Sequence, residues 1–328
     1  MRIISTSPPA HWMLRHVSSA PWCRRHSRLA VRTDAEHVSL LQTQLTAHYD
    51  DSQPQFQPMW DAVTEAVRAH AAAPSAILDL ASGSGEPACT LARAFPMASI
   101  VASDSSSDER ERAARRASSM GLSQRVSVEP IDLSEVHVFA RVADEERDSL
   151  PQCNVVTCSL GLFMLPPAQH GACLRGIHAI LAPGGLLVAS VWEDMALIDL
   201  GSQSVGTALG RAALPPPYDA ATLGGGCADP ILASAGLEPT TCGRHNAVHE
   251  LGLRLGRHGS DACWMLGLMP FLPTLSQLSE RNAVPPGVFG RARAAFEQEV
   301  ETAGYVDADS GDVVVPLRWR LLCARRPL

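Results

Sequence analysis

Acidic side chains ring a glycine-rich turn in this sequence, and that combination is its clearest equipment for chemistry. The run Ile77-Leu78-Asp79-Leu80-Ala81-Ser82-Gly83-Ser84-Gly85-Glu86-Pro87 reads as a strand ending in Asp79, a tight turn, and a helix opening near Pro87. Gly83 and Gly85 let the backbone turn sharply and let a ligand approach where a Cβ would stand. Pro87 suits a first helical turn, where its missing N–H does no harm. Asp104 closes the next apolar run, Ile100-Val101-Ala102-Ser103, 19 residues past Gly85. A carboxylate there can accept both hydroxyls of a ribose. Asp132 follows Val126–Ile131 and is placed to receive an adenine amino group.

Two ligand classes use such a turn. Gly83-Ser84-Gly85-Glu86-Pro87-Ala88 fits the G-x-G-x-x-G/A dinucleotide template. The flanking charges favour the other class. Glu86 sits where a pyrophosphate would rest on the helix N-terminus, and Asp79 lies in the approach strand. Carboxylates there repel a diphosphate and attract a cation such as S-adenosylmethionine (SAM), with its sulfonium and ammonium. Each Asp taken singly also suits a turn or a helix cap; their shared register after successive strands makes them a set.

The elements that position these residues alternate. Strands are predicted at Ala76–Leu80, Ser99–Ser103, Arg125–Pro130, Asn154–Cys158 and Gly185–Trp192, with helices at Glu86–Phe95, Ser107–Met120 and Ala168–Leu181 between them. That rhythm implies a parallel sheet with crossover helices. A further helix is predicted over Ser52–His70 from Phe56, Trp60, Val63 and Val67. The mixed charges of Asp108–Arg116 read as a solvated helix face. Beyond Trp192, a short helix is expected at Asp229–Ala235, one strand at Glu238–Leu251, a mainly helical stretch over 255–310 and a closing β-rich run at Val313–Ala324.

Taken together, Ile77–Pro87, Asp104, Asp132-Leu133, Asn154–Leu162 and Leu181–Trp192 resemble successive motifs of class I SAM-dependent methyltransferases. The likeness is greatest to the type 11, ubiquinone/menaquinone-biosynthesis-like branch, without the signature blocks of a quinone methyltransferase. The resemblance implies an α/β Rossmann-like seven-stranded sheet, mostly parallel with the last strand antiparallel, with helices on both faces and a helical lid or insertion. It implies that Asp79 and the Ala81, Ser82, Gly83, Gly85 turn hold the methionine part of SAM. Asp104 with Ser105 would take the ribose, Asp132 and Leu133 the adenine, and Ser159 would face the methionine and the transferring methyl. The sequence departs from the family at Ala81, which replaces a commoner glycine, at Asn154, which replaces an Asp, and over a longer charged stretch at 134–152. The activity implied is methyl transfer to a small-molecule acceptor at O, N, S or C. Two rivals share the sheet, an NAD(P)-dependent oxidoreductase and a non-catalytic methyltransferase-like assembly or regulatory protein.

Acceptor-pocket candidates are His48, Tyr49, His170 and Trp192, with Tyr218 and Trp264 behind them. For His48, His170 and His178 an ordinary surface or helix-face role competes with catalysis. His245 and His249 lack a third convergent ligand in the sequence, so no metal is expected. The apolar run Trp264–Leu272 suits either a hydrophobic acceptor or a core helix.

The first 33 residues hold six arginines and no carboxylate, the composition of an organelle transit peptide. Arginine from the second residue onward points to the mitochondrion over the plastid; a tail without that role would leave the chain cytoplasmic. The organisation expected is a tail at 1–33, a helical segment at 34–74, a SAM-binding core at 75–254, a helical lid at 255–311 and a final core strand at 312–328. The other 21 of the 27 basic residues face 34 carboxylates, a formal −13 that disfavours an extended nucleic-acid surface. All 27 are Arg, so no lysine is present to form a Schiff base. The nine cysteines form no CxxC pair and read as free thiols. No apolar stretch reaches the length of roughly 18 residues that a membrane span needs.

Overall fold

The computed structural model describes residues 52–71, 73–139, 152–215, 222–240, 245–268, 271, 274–275 and 286–328. Helix α1 spans Gln57–His70 and is followed by β1 (Ala76–Asp79), α2 (Ala88–Ala94), β2 (Ser99–Ser103), α3 (Ser107–Ser119) and β3 (Val126–Glu129). Next come β4 (Cys153–Ser159), α4 (Pro167–Ile180), β5 (Leu181–Asp194), α5 (Ala196–Ala208), α6 (Ala228–Ser234) and β6 (Glu238–Pro239). The chain closes with β7 (Val248–Arg257), α7 (Asp261–Leu268), α8 (Val288–Thr302) and β8 (Asp312–Arg325).

The described strands form one eight-stranded sheet in the order β3-β2-β1-β4-β5-β8, with β6 and β7 both along the far edge of β8. Strands β1 to β5 pair in parallel and β8 is antiparallel to β5. The alternating β/α pattern therefore yields the Rossmann-like sheet expected, with eight described strands in place of seven. The difference arises at 238–257. The single strand expected over Glu238–Leu251 is two, β6 and β7, and Asn246 ahead of β7 has a φ of +61°. Pairing with β8, from Val248 with Arg320 to Arg257 with Asp312, then carries β7 on to Arg257.

Successive strand residues face opposite sides. Ile77, Val155, Leu186 and Val188 join one core with α1 and α2, while Leu78, Val156, Leu187 and Ala189 join a second with α4 and α6. On the first face the side chains turn polar toward the carboxyl ends of the strands. Ile77 gives way to Asp79, Val155 to Thr157 and Ser159, and Val188 to Ser190. That change marks the end of the sheet where a ligand is met.

The first core continues without a break into the C-terminal elements. Trp264, Met265, Phe271, Phe289 and Phe296 pack with Val313, Val315, Leu317 and Trp319 in the same cluster as α1. The apolar run at Trp264 thus fills a core. Gly201 of α5 and Gly267 of α7 let the helices close together: a Cβ on Gly267 would stand 2.1 Å from Phe296, and one on Gly201 would stand 2.8 Å from the carbonyl oxygen of Gly267. At the end of β5, Glu193 takes a two-pronged ion pair from Arg320 of β8, at 2.7 and 2.9 Å.

Overpacking a close helix contact costs roughly 1–3 kcal/mol. Gly267→Ala is expected to destabilise the whole protein by about that amount in urea denaturation. A single transition should persist, because the C-terminal helices share their core with the sheet. A variant that kept the midpoint for the sheet and lost only a separate C-terminal transition would contradict a shared core.

Candidate functional site

The site is built from the turns that follow β1, β2 and β4, together with the short turn at Leu133–Glu135. Asp79 ends β1 fully buried, and its Oδ1 accepts a hydrogen bond from Thr157 Oγ1 at 2.6 Å. Its backbone oxygen accepts from Ser103 Oγ at 3.0 Å. Its Oδ2 is buried and has no partner among the described residues, and the same holds for Ser82 Oγ. Burial pushes the Asp79 carboxyl up to about 7; the nearby Ser82 and Thr157 hydroxyls pull it down and Glu86 adds to the rise.

The turn itself runs through left-handed backbone. Ala81 has φ +52° and Gly83 φ +54°. For Ala81 this costs about 1–2 kcal/mol that a glycine would avoid. Leu160, after β4, is also left-handed at φ +55°, a strain that clusters at functional sites. The two turns meet at Gly161, where a Cβ would stand 2.7 Å from Ala81 Cβ and 3.4 Å from Leu133. Ala81, Leu133 and the turn after β4 are thereby brought together, as the sequence implied.

Asp104 ties the second strand to the turn. Its Oδ2 accepts the Gly83 N–H at 3.0 Å and its Oδ1 accepts the Ser106 N–H at 2.9 Å. Burial raises its pKa against those two amides and Arg110, and Asp132 adds repulsion. The Ser105 carbonyl accepts from Arg110 Nη1 at 2.8 Å. Asp132 caps the turn at Leu133–Glu135, its Oδ1 accepting from Ser134 N at 2.8 Å and Ser134 Oγ at 2.7 Å. Asp132 is therefore a turn cap as well as a member of the acidic set.

Glu86 occupies the N-terminus of α2. Its Oε2 accepts the Thr90 N–H at 3.0 Å, and its Oε1 pairs with Arg116 at 3.3 Å. An anion-binding helix end is thus filled by the chain's own carboxylate. Ser159, expected near the methionine, exchanges a hydrogen bond with Ser190 Oγ at 2.8 Å and donates toward Met59 Sδ of α1 at 3.5 Å.

Sequence reading missed the inner face of α3. Glu111 and Arg115 are solvated as expected, yet Glu109, Arg112 and Arg116 turn inward. Arg112 and Glu109 pair at 2.7 Å, and Arg116 reaches both Glu86 and Ser84 Oγ, the latter at 3.4 Å. Alternating signs masked the signal, which was the spacing of Glu109, Arg112 and Arg116 beside the small residues Ala113 and Ala117. Ala113 packs so closely that a Cβ on Gly85 would meet its Cα at 3.1 Å.

Other candidates lie elsewhere. Trp192 is core, edge-to-face with Phe163 at 6.4 Å. His170 is 1% exposed and bonds the Leu162 carbonyl at 3.0 Å, a link between α4 and the turn after β4. The ring of His178 lies against Gly236, 3.3 Å from where a Cβ would stand. His245 bonds Asp229 at 2.7 Å while His249 stacks on Trp319 at 4.2 Å, so the two histidines serve different partners. Trp264 is buried beneath Arg293. Asn154, the family departure, accepts from Ser75 N, Ser75 Oγ and Ala76 N at 2.7–3.0 Å; it fastens the start of β1, at the opposite end of the sheet from the site. His48, Tyr49 and Tyr218 lie outside the described residues, as do the tail at 1–33 and most of the charged stretch at 134–152.

A family model described as "Methyltransferase domain" matches residues 77–185, the segment that contains all of these turns. Over that segment the chain therefore matches a methyltransferase domain. No curated protein sequence matches the chain. Among solved structures, the [4+2]-cyclase SpnF is similar at 18% identity over 83% of this chain and 81% of its own, with a TM-score of 0.46. Magnesium protoporphyrin IX methyltransferase from Synechocystis, solved with bound SAH, is similar at 13% identity over 84% of this chain and 85% of its own, with a TM-score of 0.47. The YcgJ protein of Bacillus subtilis is similar at 12% identity over 82% of this chain and 99% of its own, with a TM-score of 0.46.

The raised Asp79 pKa has a consequence for stability. Between the ordinary value of 3.8 and about 7, the folded chain holds a proton that the unfolded chain has released. Stability from this group is present at low pH and lost as pH rises through about 7. Glu109, also raised to about 7 by burial and by Asp104 and Asp108, acts in the same window. Asp79→Asn is expected to raise ligand-free stability at pH 8 by on the order of a few kcal/mol and to change it far less at pH 4. Urea midpoints at the two pH values measure this, and an equal difference at both would mean that the buried carboxyl is ionised throughout.

Proposed function

We propose that the protein transfers a methyl group from SAM to a small-molecule acceptor by in-line displacement. The reading is carried by the glycine turn, where the acceptor oxygen Asp79 Oδ2 is buried without a partner among the described residues and Glu86 already fills the adjacent helix end. Such a crevice suits a cationic nucleoside and opposes a diphosphate.

When bound, the cofactor supplies a methyl group made electrophilic by its sulfonium. The chain's residues bind and align. Asp79 and Ser82 would hold the amino-acid end, Asp104 would accept from the ribose, Asp132 and Leu133 would border the adenine, and Ala81 and Gly161 would form the floor between them. Methyl transfer from a sulfonium asks mainly for near-attack alignment and exclusion of water. A general base is needed only for acceptors that must lose a proton. The −13 charge of the chain beyond residue 33 supports a small molecule over a nucleic acid as acceptor. No helix among the described residues is long and apolar enough to cross a membrane. Residues 1–33 are proposed as an import segment, which fusion of that segment to a fluorescent reporter tests.

Calorimetry with SAM and with NADH separates donor classes. SAM is expected to bind and NADH to leave the heat unchanged; the reverse result sinks the reading. Asp104→Ala is expected to weaken SAM binding by roughly 1–3 kcal/mol, through the lost acceptor and the released Gly83 amide. Unchanged affinity would remove Asp104 from the site. Turnover screening against thiols, amines, quinols and hydroxy acids tests activity, and blanks throughout would favour a non-catalytic relative.

A further inference from the structure

Helix α3 sets one carboxylate against the glycine turn that the family motifs leave unassigned. Glu109 stands in the first turn of α3, its N–H donated to the cap Ser106 Oγ at 3.4 Å. Its Oε1 accepts from Arg112 Nη1 at 2.7 Å. Its Oε2 is buried and has no partner among the described residues. That oxygen is 3.9 Å from the point where a Cβ on Gly83 would stand. The oxygen thus lies at van der Waals distance from the glycine turn.

Asp104 Oδ2 holds the amide of the same glycine, and among like charges Asp104 repels Glu109 most. The two carboxylates therefore converge on one turn. Each oxygen of Asp104 already accepts a backbone amide, from Gly83 and from Ser106. The remaining capacity is a lone pair on each Asp104 oxygen and the whole of Glu109 Oε2. A buried acceptor left without a donor carries its desolvation cost with nothing to offset it. Like charges at close quarters add to that cost. A vicinal diol relieves both, because each hydroxyl donates one hydrogen bond and the pair spans two acceptors.

We propose that Glu109 is a second ribose-binding residue, accepting through Oε2 one hydroxyl of the diol whose other hydroxyl donates to Asp104. Arg112 positions it by holding Oε1. The assignment rests on the SAM reading above, and it adds a residue to that site.

The test is calorimetry on the full chain with S-adenosylhomocysteine and with its 2′-deoxy and 3′-deoxy forms. Glu109→Gln is expected to weaken binding of the parent ligand roughly tenfold or more, as for loss of a hydrogen bond to a charged group. In the wild type, one deoxy form should lose a similar factor. That same deoxy form should bind Glu109→Gln and wild type within about twofold, since the two deletions remove the same contact. Equal weakening of the parent and both deoxy forms would mean that Glu109 acts only by shaping the turn, and would overturn the proposal. So would unchanged affinity for all three. Absence of any binding to the wild type would instead overturn the SAM reading beneath it. Glu109→Asp, expected to show the same loss of coupling, decides the matter if the Gln variant does not give a cooperative thermal transition.

Discussion

The hydrogen bond from Gly83 N–H to Asp104 Oδ2, at 3.0 Å, is the contact on which the site depends. It joins the turn after β1 to the end of β2 and so fixes the glycine backbone relative to the acidic set. Both ends are prepared by the chain. Parallel pairing of Asp79 with Ala102 brings the two strand ends level. The small Ala113 lets α3 approach Gly85 from the other side. With the turn held between β2 and α3, the carboxylates of Asp104 and Glu109 both lie against Gly83.

Concentrating negative charge in a mostly buried place is costly, and the structure offsets it unevenly. Glu86 has an arginine and a helix amide, and Glu109 has an arginine on one oxygen. Asp79 has a hydroxyl on one oxygen, and burial drives its pKa up to about 7. Such partial satisfaction is unusual in a folded interior. It is the expected state of a site whose remaining partners arrive with a ligand rich in donors and positive charge. The sheet beneath supplies the rigidity, since the first-face side chains are apolar until they near the site.

Much of this was legible in the sequence because it is local. The positions of β1 to β5, the turn at Gly83–Gly85 and the acidic residues after β1, β2 and β3 follow from short-range pattern. Three features were not legible, each for a physical reason. Charges of alternating sign on α3 resemble a solvated face, and only the close approach of Ala113 to Gly85 reveals that one side is inward. Trp192 and His170 carry functional residue types, yet both are buried, against Phe163 and the Leu162 carbonyl. The break between β6 and β7 depends on pairing with β8 across a long sequence separation, which no local window contains.

If the acidic glycine turn holds the methyl donor, hydrogen–deuterium exchange of the full chain with and without SAM will show it. SAM is expected to slow exchange in three segments, 80–86, 104–110 and 132–135, while the amides of α8 stay unchanged. Protection that falls elsewhere and leaves those three segments untouched would contradict it.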